Sequence, residues 1–182
     1  MLEQAAKIAG IEGLEGITFG RVALVANVPK STLANLFQDR EDLQLQTLRF
    51  GADAFAAALR AKMRARRGAL GALKALCDAW FQLLEDEEFP GGCIVTAVAG
   101  EYRARPGAIQ SLVTEYREIW RQALLSATMQ AKGEGALAPN ADPQQIVFEI
   151  VAFQEAAHVR TADRLRAQRA VSALIDRIQR GS

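Results

Sequence analysis

Apolar residues recur every three or four positions along almost the whole chain, and no set of alternating apolar and polar runs exists from which a sheet could form. Short apolar runs such as Cys93-Ile94-Val95 stand alone. The periodicity predicts an all-α protein of about nine helices. Half of the 182 residues are hydrophobic and 24% are charged, which excludes a disordered chain. The length suits one large domain or two small ones. No apolar run is long enough to cross a membrane, and Met1-Leu2-Glu3-Gln4 does not open a secretion signal. The expectation is a cytoplasmic protein with Cys77 and Cys93 reduced. His158 is the single histidine and has no cluster of carboxylates or thiols at ligand spacing, so neither a metal nor another cofactor is expected.

Capping residues punctuate the helices. The first is expected over Leu2 to Glu12, ending at Gly13. Thr18 is a good N-cap for a second helix with Phe19, Val22, Ala23 and Ala26 at helical spacing, and Asn27 suits the left-handed residue that closes it. Val28 and Pro29 turn the chain into a third helix, Lys30 to Phe37, with Leu33 and Phe37 inside and Lys30, Ser31, Ala34 and Asn35 outside. Two short helices around a turn of about four residues give helix-turn-helix geometry. Asp39 caps a fourth helix expected over Arg40 to Arg67, with Leu43, Leu48, Ala52, Phe55 and Leu59 as its stripe. Its basic tail, Arg64, Arg66 and Arg67, complements the helix dipole. Five more helices are expected: Leu70 to Glu85, Cys93 to Arg103, Pro106 to Lys132, Pro143 to Thr161 and Arg166 to Arg180. Glu85 to Glu88 read as a solvated helix end, Phe89-Pro90-Gly91-Gly92 as a turn, and Asp142-Pro143 as a cap with proline in the first turn.

Charge is slightly asymmetric. Residues 1–67 carry 10 Lys/Arg against 7 Asp/Glu, whereas residues 68–182 carry 12 against 14. That permits nucleic-acid binding by the first third without establishing it. The local motifs say more: Ile17-Thr18-Phe19-Gly20-Arg21-Val22-Ala23, then Ala26-Asn27-Val28-Pro29-Lys30-Ser31-Thr32-Leu33, then Phe37-Gln38-Asp39-Arg40-Glu41-Asp42-Leu43. Over about residues 5–45 the sequence resembles the DNA-binding domain of the TetR family of bacterial transcriptional repressors. The resemblance implies a three-helix DNA-binding domain over 1–45 and a helical ligand-binding and dimerisation domain over 46–182. It implies that Lys30 and Thr32 hold phosphates and enter the groove, and that Arg40 grips a phosphate. Thr18, Arg21 and Ser31 join them on the expected DNA-facing surface. Asn35 could pair bidentately with an adenine edge and Ala34 could touch a thymine methyl. The sequence departs from the family at Ala34 and Leu36, where aromatic residues are usual, and it begins almost inside the first helix, where a basic arm is usual.

The rest reads as an effector domain. Trp80, Phe81, Cys93, Tyr102, Tyr116, Trp120 and Phe153 are candidates to line an apolar cavity, although any one could be plain core. Gln154 and His158, four residues apart, are the polar candidates there. Ile146 and Ile150, with Val171, Leu174, Ile175 and Ile178, form stripes able to build a four-helix bundle with a second copy. The function expected is a ligand-responsive repressor that binds a palindromic double-stranded operator as a homodimer and is released by a small apolar effector. A DNA-binding protein without ligand response is the alternative. An enzyme using Cys93 as nucleophile finds little support, because His158 is the one candidate base and no third group orders the pair.

Overall fold

The computed structural model describes residues 1–63 and 67–179. Among the described residues there are nine α-helices and no strand: α1 Leu2–Glu12, α2 Phe19–Ala26, α3 Lys30–Leu36, α4 Arg40–Lys62, α5 Gly68–Leu83, α6 Ile94–Tyr102, α7 Ala108–Gly133, α8 Pro143–Val159 and α9 Arg164–Arg177. Short 3-10 turns at Leu14–Gly16 and Thr161–Asp163 supplement them.

The caps explain the boundaries. Thr18 Oγ1 accepts from Arg21 N at 3.1 Å, satisfying an orphan donor of α2, and Asn27 closes α2 at φ 52° in the left-handed region. Pro29 is extended and serves as the N-cap of α3, so Lys30 is the first helical residue. At the start of α4, Asp39 accepts from Asp42 N at 2.8 Å while Asp42 accepts from Gln38 N at 2.9 Å, a reciprocal capping arrangement. Asp142 accepts from the N–H groups of Gln144 and Gln145 to start α8.

Several expected boundaries move. Helix α3 stops at Leu36 because Phe37 is extended and drops into the core. Helix α4 stops at Lys62 rather than Arg67; Arg64 and Arg66 lie outside the described residues, as does the expected last residue of α9, Arg180. Helix α5 begins earlier, at Gly68, because Gly68 takes φ +72° and Glu134 Oε2 accepts from Ala69 N at 2.8 Å. Helix α8 ends at Val159, and the 3-10 turn after it brings α9 forward to Arg164.

The chain divides into two compact units, Met1–Ala58 with Leu83–Arg117, and Leu59–Gln82 with Glu118–Ser182. The first is built on α1, α2, α3, most of α4, α6 and the first part of α7. Leu14, Ile17, Val22, Leu33, Leu43, Leu48 and Val98 are fully buried at its centre. Two backbones meet closely inside it: Gly10 of α1 lies against the Pro90–Gly91 peptide, leaving no room for a Cβ at Gly10 or Gly91. In the second unit α8 packs along α9, with Leu73, Leu124, Val147, Ile150 and Ile175 buried. Chain beyond α7 returns beside the end of α9, where Ala138 N donates to Ile178 O at 2.9 Å.

Candidate nucleic-acid interface and effector region

Helix α3 presents a largely polar face to solvent because its other side is anchored. Leu33 is fully buried and Phe37 nearly so, which turns Lys30, Ser31, Ala34 and Asn35 to solvent. Thr32 is half-buried beside them. Helices α2 and α3 pack on each other across the Asn27–Pro29 turn. Leu24, Val25 and Leu36 are also exposed, at 75%, 43% and 55%. Thr18 is occupied as a cap, and the Arg21 guanidinium donates to Glu12 Oε1 at 2.8 Å on the exposed surface.

Arg40 is tied down within the unit. Its Nε donates to Ile17 O at 2.9 Å, and its Nη2 donates to Glu15 O at 2.6 Å and to Glu15 Oε2 at 2.8 Å. Glu15 gathers two further partners on its other oxygen, Arg105 Nη1 at 2.8 Å and Tyr102 OH at 3.3 Å. Glu101 on α6 accepts from Leu14 N and Glu15 N, each at 2.9 Å. Gln44, buried on α4, donates to Leu14 O at 2.6 Å. The Leu14–Gly16 turn is therefore held from α4 and from α6 through nearly all its polar groups. None of Glu15, Glu101, Gln44 and Arg105 stood out in the sequence. The partners lie 25 to 90 residues apart, and no local pattern announces such a pair.

Burial works to raise the Glu15 pKa, but the Arg40 hydrogen bond and charge, with Arg105 and Tyr102, outweigh it and hold the carboxyl below its ordinary 4.5. A depressed pKa means that this network stabilises the fold fully above that value and loses its contribution as pH falls below it. Glu15→Gln is expected to flatten the acid limb of the stability profile without changing the limb above neutrality, which denaturant titration across pH measures. Equal acid limbs in the two proteins would contradict the ionised network. The Tyr102 hydroxyl is pushed up to about 12 by burial and by Glu15 and Glu101.

The nine effector candidates are divided between the two units. Cys93, Tyr102 and Tyr116 belong to the first. Tyr102 is spent on Glu15, with the Arg105 guanidinium 5.6 Å from its ring centroid, and Tyr116 OH donates to Asp53 Oδ1 at 3.2 Å. Cys93 is the N-cap of α6, and burial pushes its thiol up, opposite to what an activated nucleophile requires. The same unit holds a cavity of about 280 Å³ that includes Lys7, Phe50, Phe89, Pro90 and Ile94 in its lining, and none of the nine.

Trp80, Phe81, Trp120, Phe153, Gln154 and His158 belong to the second unit. Trp80 and Phe81 are buried and meet edge to face at 5.2 Å. Phe81 also lines a cavity of about 210 Å³ between α5 and α9, with Cys77, Val171 and Ile175. Trp120 Nε1 donates to Gln154 Oε1 at 2.9 Å, and Gln154 is 2% exposed. His158 and Phe153 are half-buried on α8.

The residues expected at a dimer seam are nearly all covered within the single chain. Ile146, Ile150, Val171, Leu174 and Ile175 are buried within the single chain and Ile178 is half-buried. Their stripes are filled by the packing of the unit itself. The apolar side chains that α8 leaves in solvent are Phe148 at 66% and Val159 at 81%, with Ala152 and Ala156 exposed between them, and Leu165 follows at 56% on α9.

Comparison with known proteins fits this geometry. Residues 69–175 match the family model described as the tetracyclin repressor-like C-terminal domain. The chain superposes on a TetR-family transcriptional regulator from Cytophaga hutchinsonii with TM-score 0.85 and 18% identity, over 100% of this chain and 94% of that one. A TetR transcriptional regulator from Chloroflexus aurantiacus gives 0.83 and 17%, over 98% and 93%. A transcriptional regulator from Saccharomonospora viridis, solved in complex with choline, gives 0.81 and 16%, over 98% and 95%. No curated protein matches the sequence.

Proposed function

The chain belongs to the TetR family of transcriptional regulators, and from that premise we propose that it is a ligand-responsive repressor. Two copies bind a palindromic operator through residues 1–45, and a small, largely apolar effector bound within residues 46–182 releases them. The observation that carries the reading is α3, held by Leu33 and Phe37 so that Lys30, Ser31, Ala34 and Asn35 are free to meet a groove. Lys30 supplies a phosphate contact, while Asn35 and Ala34 address base edges. Arg40 holds the Leu14–Gly16 turn, and a role on phosphate uses what its guanidinium leaves over.

Dimerisation uses the exposed stripe Phe148, Ala152, Ala156 and Val159 of α8, continued by Leu165. Helix α4 supplies the covalent path for the switch, being unbroken from Arg40 to Lys62. Helix-turn-helix dimers read half-sites about 34–36 Å apart, so a small change in the attitude of that helix is enough to spoil the match. Repression relieved by an effector requires the effector to prefer the DNA-incompetent state, typically by about 1–3 kcal/mol. That the Saccharomonospora viridis regulator was solved with choline supports a small-molecule site on this fold.

The test is a gel shift with the DNA flanking the protein's own gene, over a salt series. Lys30→Ala is expected to weaken binding to all sequences alike and to lower the salt slope by about one unit. A changed operator preference with an intact slope would overturn the phosphate role, and absence of binding to any DNA would overturn the regulator. Lys30 is the cleaner probe than Arg40, whose loss would also release Glu15.

A further inference from the structure

Gln154 is a buried amide whose two Nε2 hydrogens are both unused. The indole of Trp120 can only donate, so the amide must turn Oε1 towards it, and the observed 2.9 Å bond fixes that orientation. Nε2, with its two hydrogens, faces the other way. Among the described residues nothing accepts from it, although Gln154 is 2% exposed. Buried donors are almost always paired, because an unpaired one has given up water and gained nothing. Trp120, which holds the amide, is itself half-exposed.

We propose that Gln154 Nε2 is the selecting donor of the effector site, and that its ligand is an uncharged carbonyl compound with an apolar body. The inference rests on the ligand-responsive reading above and deepens it. The amide chooses among ligand classes on simple grounds. Its positive hydrogens favour an acceptor and oppose a cation. A neutral donor satisfies a carbonyl oxygen without burying a net charge, whereas a carboxylate would bring a charge whose desolvation one amide does not offset. The basic group next to Trp120, Arg121, is already engaged by Glu118 and Gln144. Trp120 acts as a positioning residue, locking the amide so that the donor and not the acceptor meets the ligand.

The probes are benzylacetone, a ketone, and butylbenzene, which has the same carbon skeleton without the oxygen. Both are titrated calorimetrically into the full chain. In wild type the ketone is expected to bind, and Gln154→Leu is expected to lower the ratio of ketone to hydrocarbon affinity about tenfold, the order of one hydrogen bond. Because that variant orphans the Trp120 indole, the double variant Trp120→Phe/Gln154→Leu is measured beside it and must show the same loss. Trp120→Phe alone keeps the donor but removes its lock, and must lower the ratio by less than the Leu variants do. An unchanged ratio in the Leu variants, or no ketone binding to wild type, overturns the proposal. So does a crystal structure in which a fixed water satisfies Nε2 while the ketone lies elsewhere. A ketone preference that depends on Gln154, with no ligand able to release DNA, would instead fail the regulatory reading and leave this site standing.

Discussion

Gly91→Ala is expected to destabilise the protein by about 2–5 kcal/mol, combining the cost of a non-glycine residue at positive φ with overpacking against a backbone that cannot yield. Gly91 sits at φ +84°, and a Cβ there would be driven into the carbonyl oxygen of Gly10 and up to the Ile11 amide. The obstacle is the main chain of α1, so no rotamer change relieves it. Gly10 has the reciprocal constraint, since its Cβ would meet the Pro90 carbonyl. Gly100 provides the control. It lies inside α6 with nothing within 4 Å of a built Cβ, so Gly100→Ala should stabilise by about 0.4–1 kcal/mol through the unfolded chain and helix propensity. In a chain of this length each kcal/mol moves the thermal midpoint by about 2–4 °C, so the two variants should melt on opposite sides of wild type. A Gly91→Ala protein as stable as wild type would mean that the Phe89–Gly92 turn does not approach α1 as described. Because this turn carries α6 onto the unit that holds α3, a protein that survives the substitution should also bind DNA less well.

What could be read beforehand follows from the range of each interaction. Thr18, Asn27 and Asp142 act on the backbone within three residues of themselves, so their roles could be named from the sequence and recur in the geometry. Leu33 and Phe37 are legible for the same reason, as a short apolar period beside a turn. The Glu15–Arg40–Arg105 cluster and the Glu101 cap were invisible because their partners are fixed by the fold. Isolated Glu and Arg residues ordinarily face water. The position of Arg40 in the motif gives no sign of its hydrogen bonds to Ile17 and Glu15, which the fold alone brings within reach. Tyr102 and Tyr116 looked like cavity lining by composition, but their hydroxyls select Glu15 and Asp53. Gln154 was legible as an odd polar residue on an apolar face, and its orphaned donor required the partner Trp120 to be placed.

The stripes of α8 and α9 show why periodicity cannot tell a core from an interface, and two substitutions separate them. Ile150→Asp is expected to unfold the protein, because Ile150 is completely buried and the new carboxylate would have no partner there. Such a buried, unpaired charge costs several kcal/mol, about 3–5 by analogy with broken buried pairs, against a total stability of about 5–15 kcal/mol. Phe148, two residues earlier, is 66% exposed. Phe148→Glu should therefore leave the isolated chain within about 0.5 kcal/mol of wild type, as surface substitutions usually do. In a two-fold dimer the same patch is used by both copies, so one substitution places two carboxylates in the seam. The expected result is a folded monomer with near-native circular dichroism, and operator binding weakened because one head reads only one half-site. Sedimentation at about micromolar concentration, the range of a moderate interface, distinguishes the outcomes. A wild-type mass of 19.8 kDa, that of one chain, would overturn the dimer. A dimeric Phe148→Glu protein would keep the dimer but remove this face of α8 from it. A folded, monomeric Ile150→Asp protein would mean that the buried stripe forms the seam after all.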